Sequence, residues 1–264
     1  MATTTTPEAG PTPVRKIRRQ GPAILRFYST ALGKKWVMGL TGLALMGFVL
    51  FHMIGNLKLF LSREELNLYG EALRDLGGHL VPRTFLLWLL RIGLIFAFVL
   101  HIHAAASLTI LNRKARPDRY QSKRDYIAAD FASRTMRWTG VIILLFLIFH
   151  LMDLTWGNAN PDYLRGDPYN NLIQSFERVP VAIIYVLANI ALAFHLYHGA
   201  WSMFQSMGIN NPKYNKLRRT FAQGFALVIL VGNLSFPISV QLGLVEQACP
   251  QADPVAECTE ESGV

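Results

Sequence analysis

Residues 179–207 read VPVAIIYVLANIALAFHLYHGAWSMFQSM, from Val179 to Met207, without one Asp, Glu, Lys or Arg. Roughly 20 apolar residues, each rising about 1.5 Å in a helix, cross a hydrocarbon core about 30 Å thick. Inside lipid the backbone must satisfy its own polar groups, so a run of this length reads as a transmembrane helix. Four more stretches meet that length with few charges: 36–60, 84–111, 136–157 and 221–244. No long segment alternates polar and apolar residues as the strands of a membrane barrel do. The expected fold is therefore all-α, a polytopic membrane protein of five transmembrane helices. The apolar run of the first stretch is too long for a cleavable signal sequence, and no small-residue cleavage site follows it.

Composition agrees. Hydrophobic residues make up 52% of the chain and charged residues 16%, against about 25% charge in a soluble domain. Two cysteines in 264 residues cannot form a disulfide framework. A net charge of +9 suggests an acidic partner such as nucleic acid until the charges are placed. Nineteen of the 26 basic residues lie before the first stretch, between the second and third (counting Arg137 at the edge of the third), or between the fourth and fifth. Of the 17 acids, 13 fall on the other side. The positive-inside rule then places the N-terminus in the cytoplasm and the C-terminus outside a cell inner (plasma) membrane. The basic surplus is a topology signal, and no nucleic acid is needed to explain it. Residues 1–28 are expected to form a disordered, basic cytoplasmic segment, 29–244 the membrane domain, and 245–264 an acidic outer tail.

Six of the seven histidines fall inside the spans, where ionisable side chains are costly and commonly functional. His52 lies 16 residues into the first span and His150 lies 14 into the third, so both sit roughly 21–24 Å from the cytoplasmic end. The second and fourth spans run the other way. His101 lies 17 residues into the second and His195 lies 16 into the fourth, which brings both toward the cytoplasmic side. Four helices thus supply two histidine pairs at two depths, a four-helix cofactor-binding core. Two haem b groups, each held by two imidazoles in a helix bundle, suit that arrangement. His101 and His103 point about 160° apart on a helix, so both cannot face one centre. His198, one turn past His195, is a candidate for a propionate or quinone contact, or a bond to a neighbouring helix. Gly39, Gly42, Gly47, Gly55, Gly93, Gly140 and Gly199 would let a macrocycle or a neighbouring helix approach.

These residues carry a resemblance. Phe51-His52-Met53-Ile54-Gly55-Asn56, His101-Ile102-His103-Ala104-Ala105, Phe149-His150-Leu151 and Phe194-His195-Leu196-Tyr197-His198-Gly199-Ala200-Trp201-Ser202 recur in order. Over roughly 29–244 the chain resembles the single-subunit, five-helix, di-haem cytochrome b anchor of succinate dehydrogenases and fumarate reductases. The resemblance implies His52 and His150 as ligands of an outer haem, and His101 and His195 as ligands of an inner one. A slip of two residues would select His103 instead. It also implies a flavoprotein subunit that oxidises succinate and an iron–sulfur subunit docked on the cytoplasmic face. Electrons then reach a membrane quinone, menaquinone being favoured, and the chain itself carries no succinate site.

Arg91 and Asp153 both lie toward the outer side. A mutual salt bridge is one reading; a propionate clamp for Arg91 and a quinone role for Asp153, with Arg91 and Trp156 nearby, is the other. Other arrangements keep the redox role or discard it. Two histidines with Cys249 and Cys258 could hold a Rieske-type [2Fe-2S] cluster. A cytochrome b anchor of another dehydrogenase shares the haem logic. A scaffold or transporter would use the histidines as interhelical bonds, but no pair of broken helices marks a transport site.

Overall fold

A computed structural model describes residues 21–115, 131–209 and 211–245. Helix α1 (Ala23–Ser29) precedes α2 (Ala31–Asn56), α3 (Arg63–Arg74), α4 (Phe85–Lys114), α5 (Phe131–Leu154), α6 (Pro168–Glu177), α7 (Val179–Ser206) and α8 (Asn215–Gln241). There is no strand among the described residues. Among the described residues five helices are long and apolar enough to cross a membrane, and each overlaps one of the five stretches read from the sequence. The protein is an all-α, multi-pass membrane protein.

The helix starts have local causes. The Thr30 side chain accepts the Gly33 N–H at 2.9 Å to cap α2, and Ser62 accepts the Glu65 N–H at 3.2 Å to cap α3. Asp167 caps α6 by accepting the Asn170 N–H at 3.0 Å, with Pro168 in the first turn, where no amide hydrogen is needed.

α7 is the axis of the bundle. It packs against α8 on one side and against α5 and α2 on the others, while α2 in turn packs on α4. Its buried residues include Tyr185, Ala188, Leu196 and Ala200. Most of α4 faces outward, with Trp88, Leu89, Ile92 and Phe96 all exposed, as a lipid-facing helix requires.

The segments between spans depart from a plain loop. α3 and α6 are amphipathic, and they pack on each other at one end of the bundle. Leu66 of α3 and Tyr169, Leu172, Ile173 and Phe176 of α6 join the core with Met46, Met53, Tyr185 and Phe236. Asp167 stitches the two together, accepting from Arg63 at 2.5 Å and from Asn67 at 3.0 Å. Burial pushes its carboxyl upward; the Asn170 N–H, Arg63 and Asn67 hydrogen bonds and the Arg63 charge outweigh that and hold it below its ordinary range.

Two boundaries move. The N-terminal segment, expected loose through residue 28, is helical from Ala23; α1 carries Arg26 as its one charge and packs on α2. Residues 1–20 lie outside the described residues. The fifth span begins earlier than its apolar run, because α8 takes Lys216, Arg218 and Arg219 into its first turns. Arg218 is buried there, bonded to the Ile209 carbonyl and Asn215 and lying 5.3 Å over the Trp201 ring. The expected acidic tail lies outside the described residues beyond Val245, and so do Cys249 and Cys258.

Candidate cofactor site

Four helices bring four histidines together two by two. His52 of α2 meets His150 of α5 with ring centroids 5.9 Å apart and planes at 89°. His101 of α4 meets His195 of α7 at 6.4 Å and 59°. Two imidazoles bound to opposite sides of one metal, each nitrogen about 2 Å from it, have centroids roughly 6 Å apart. Both pairs have that spacing.

The tautomers suit the same chemistry. His101 Nδ1 lies 3.1 Å from the Met38 carbonyl and 3.3 Å from Thr41 Oγ1. A carbonyl only accepts, so Nδ1 carries the proton. The Thr41 hydroxyl already donates to the Val37 carbonyl at 2.6 Å, so toward the histidine it also accepts. His195 repeats this, with Nδ1 3.2 Å from Thr139 Oγ1 and bonded to the Met136 backbone. Thr139, itself buried, donates to the Met136 carbonyl at 3.0 Å. His150 Nδ1 lies 3.2 Å from the Tyr185 hydroxyl, which donates to Asp153 at 2.9 Å and so accepts from the ring. In all three, Nε2 keeps its lone pair. At His52, Nε2 faces the Asn56 side-chain amide at 3.4 Å, and it is again the acceptor.

The levels are set by the same contacts. His101 touches α2 at Thr41, and His52 follows 11 residues later on that helix; His195 touches α5 at Thr139, and His150 follows 11 residues later. Both helices therefore space the two pairs by about 16 Å. Glycines face both inner imidazoles, and only at Gly42 is the approach tighter than an ordinary contact. A Cβ on Gly42 would lie 3.2 Å from His101 Cε1, and one on Gly140 would lie 3.7 Å from His195 Cε1. Gly39 instead faces Met203 and Met207, and Gly55 faces the Tyr69 ring, so these two serve helix packing.

The remaining sequence candidates separate. His103 turns away from the pair and bonds the Tyr28 hydroxyl of α1, with the two rings stacked. His198 is half-buried one turn past His195. Arg91 is exposed and lies 5.2 Å over the Trp88 ring. The Arg91–Asp153 salt bridge is not formed: Asp153 is fully buried and pairs at 2.6 Å with Arg178, from the turn between α6 and α7. Arg178 reaches Asp153 because α6 folds back under the bundle, a path the apolar runs do not announce. Ser175 and Tyr185 also donate to Asp153. Trp156 lies 61% exposed just past the end of α5. Sequence reasoning missed Tyr185, Ser175 and Arg178, which gain meaning only through long-range contacts. It also missed Thr41 and Thr139, although each stands beside a glycine at one fixed distance before a histidine.

Among the described residues there is no group of three or more His, Cys, Asp or Glu placed to hold a metal ion; the histidines come in twos. Residues 109–232 match the family model described as succinate dehydrogenase/fumarate reductase transmembrane subunit. The matched stretch contains His150, Asp153, Arg178, Tyr185 and His195, while His52 and His101 precede it. No curated protein and no solved structure matches the chain. Over that stretch the chain is similar to the transmembrane subunits of succinate dehydrogenases and fumarate reductases.

Proposed function

We propose that the chain is the membrane-anchor and electron-transfer subunit of a succinate:quinone oxidoreductase. It holds two haem b groups, one between His52 and His150 and one between His101 and His195. The observation that carries this reading is the double pairing: four imidazoles from four spans, in two pairs with ring centroids 5.9 and 6.4 Å apart, a spacing at which two imidazoles could share one metal. When bound, haem b supplies a one-electron iron couple at each level.

The chain's own residues do the rest. Phe48 stacks on His52 at 5.3 Å and Phe146 packs against His150 at 5.8 Å, so each outer imidazole has an aromatic neighbour one turn earlier on its own helix. Tyr185 orients His150 and is itself held by Asp153. Hydrogen bonds of this kind fix ring orientation and raise ligand basicity.

Lys35, Arg113, Lys114, Lys213, Lys216 and Arg219 are exposed at the ends of spans that alternate to one side. That basic face is the docking surface for the iron–sulfur subunit, beyond which the flavoprotein subunit carries the succinate site. By the positive-inside rule it is the cytoplasmic face of a cell inner membrane. A quinone, menaquinone being favoured, is met at the opposite end near His52 and His150. Arg91 and Trp156 are exposed toward that end, whereas Asp153 is enclosed and acts through Tyr185.

Purification of the assembled complex tests the reading. Pyridine haemochrome quantitation should return about two haems b per copy of this chain, the ratio that two histidine pairs require. Iron with acid-labile sulfide and no haem would overturn the cofactor and favour the two-histidine, two-cysteine cluster.

A further inference from the structure

The chain contains one pattern twice. Met38-x2-Thr41-Gly42-x9-His52 recurs as Met136-x2-Thr139-Gly140-x9-His150, and a phenylalanine, Phe51 or Phe149, precedes each histidine. The contacts recur with the letters. In α2, Thr41 and the Met38 carbonyl meet Nδ1 of His101 on the next span; in α5, Thr139 and the Met136 backbone meet Nδ1 of His195 on the next span. In both, the threonine hydroxyl donates back to its own helix, to Val37 or Met136, so only its lone pairs are left for the histidine. In both, the following glycine faces the imidazole, tightly at Gly42 and at ordinary contact distance at Gly140.

The spacing has a physical sense. Eleven residues are three helical turns with about 20° left over, so the threonine and the later histidine share one helix face about 16 Å apart. One helix can therefore ligate at one level and latch its neighbour's ligand at the other. The pairs α2/α4 and α5/α7 are two copies of this device, with their first helices running in the same direction.

The outer level does not follow the repeat. Tyr185, which holds His150, stands 10 residues before His195, and the same offset before His101 falls on Arg91, which lies over Trp88. The outer histidines recur in the pattern, but the hydrogen-bond latch recurs at the inner level.

We propose that Thr41 and Thr139 are equivalent positioning residues for the inner centre. Each accepts the Nδ1–H of the facing histidine, fixes its tautomer and orientation, and makes Nε2 a stronger donor to the iron. This rests on the two-haem reading above. An accepting group on Nδ1 stabilises the oxidised metal, so its loss raises the midpoint potential of that centre.

The experiment is a redox titration of the assembled complex in membranes, with Thr41→Val, Thr139→Val, the double variant, and serine at each position. The component that disappears in His195→Ala identifies the inner centre. The inner midpoint should rise in each valine variant and rise further in the double variant. It should return in the serine variants, which restore the hydroxyl, while the outer midpoint stays put. Loss of the inner haem in a valine variant, with retention in the serine variant, supports the same role. Thr109→Val is the control, because among the described residues that hydroxyl bonds its own helix at the Ala105 carbonyl. An unchanged inner midpoint in a fully haem-loaded double variant would overturn the assignment, as would an equal shift in both centres or in the control. A wild-type complex without haem would instead overturn the reading on which it rests.

Discussion

Asp153 and Arg178 form an ion pair at 2.6 Å with the carboxylate fully enclosed, at the junction of α5, α6 and α7. The aspartate is saturated by Ser175, Tyr185 and Arg178, and through Tyr185 it reaches His150. A structural ion pair and a candidate ligand therefore share one hydrogen-bond network. Removing one partner of a buried pair leaves an uncompensated charge, which typically costs about 3–5 kcal/mol. Arg178→Met should lower the thermal stability of the detergent-solubilised complex by the upper part of that range, because Asp153 has no solvent to turn to. Asp153→Asn should cost less, since the arginine is partly exposed. Equal losses in the two variants would contradict this account.

Tyr185→Phe separates the network's structural and positioning roles. The change removes a donor to Asp153 and the acceptor of His150, at a cost of about 1–3 kcal/mol for a buried unmet partner. Its spectroscopic effect should fall on the outer haem component alone. A redox titration in which only the inner component moves would refute the pairing of His150 with the outer level.

The ligand assignment predicts an asymmetry between neighbouring histidines. His101→Ala should leave one haem per chain, as His195→Ala should, because both rings serve one centre. His103→Ala should keep both haems, since that ring faces Tyr28 on α1. Haemochrome content of the three purified variants decides it, and loss of a haem in the His103 variant would select the other register.

Asp167 predicts a pH dependence at the α3–α6 cap. Its folded carboxyl titrates below the ordinary range, so the ionised form contributes stability that is fully present above about pH 4. That contribution is lost as pH falls through the lower folded value. Thermal melts across this window should steepen downward in the wild type and flatten in Asp167→Asn, which keeps the helix cap but cannot ionise. Matching profiles would show that the cap is not electrostatic.

Gly55 predicts a packing cost. A Cβ there would clash with the hydroxyl end of Tyr69 on α3, and overpacking of this kind costs about 1–3 kcal/mol. Gly55→Ala should destabilise the complex, and Tyr69→Ala in the same chain should recover part of the loss. A double variant less stable than the sum of the two would argue against a direct clash.

What the sequence determined by itself follows from two rigid lengths. Lipid thickness turns apolar runs into five spans, and a fixed rise per residue turns histidine positions into depths, so His52 could be matched with His150 and His101 with His195 before any contact was known. The Thr-Gly repeat was legible in the same way, since its spacing is a count along one helix. Tertiary structure alone decided the rest. The partner of Asp153 is Arg178 and not Arg91, because α6 folds back beneath the bundle. Tyr185 serves His150 from another helix, and α3 and α6 close one end through faces too short to stand out as apolar runs. Periodicity along one chain segment carries no information about which distant segment will supply the other half of a hydrogen bond.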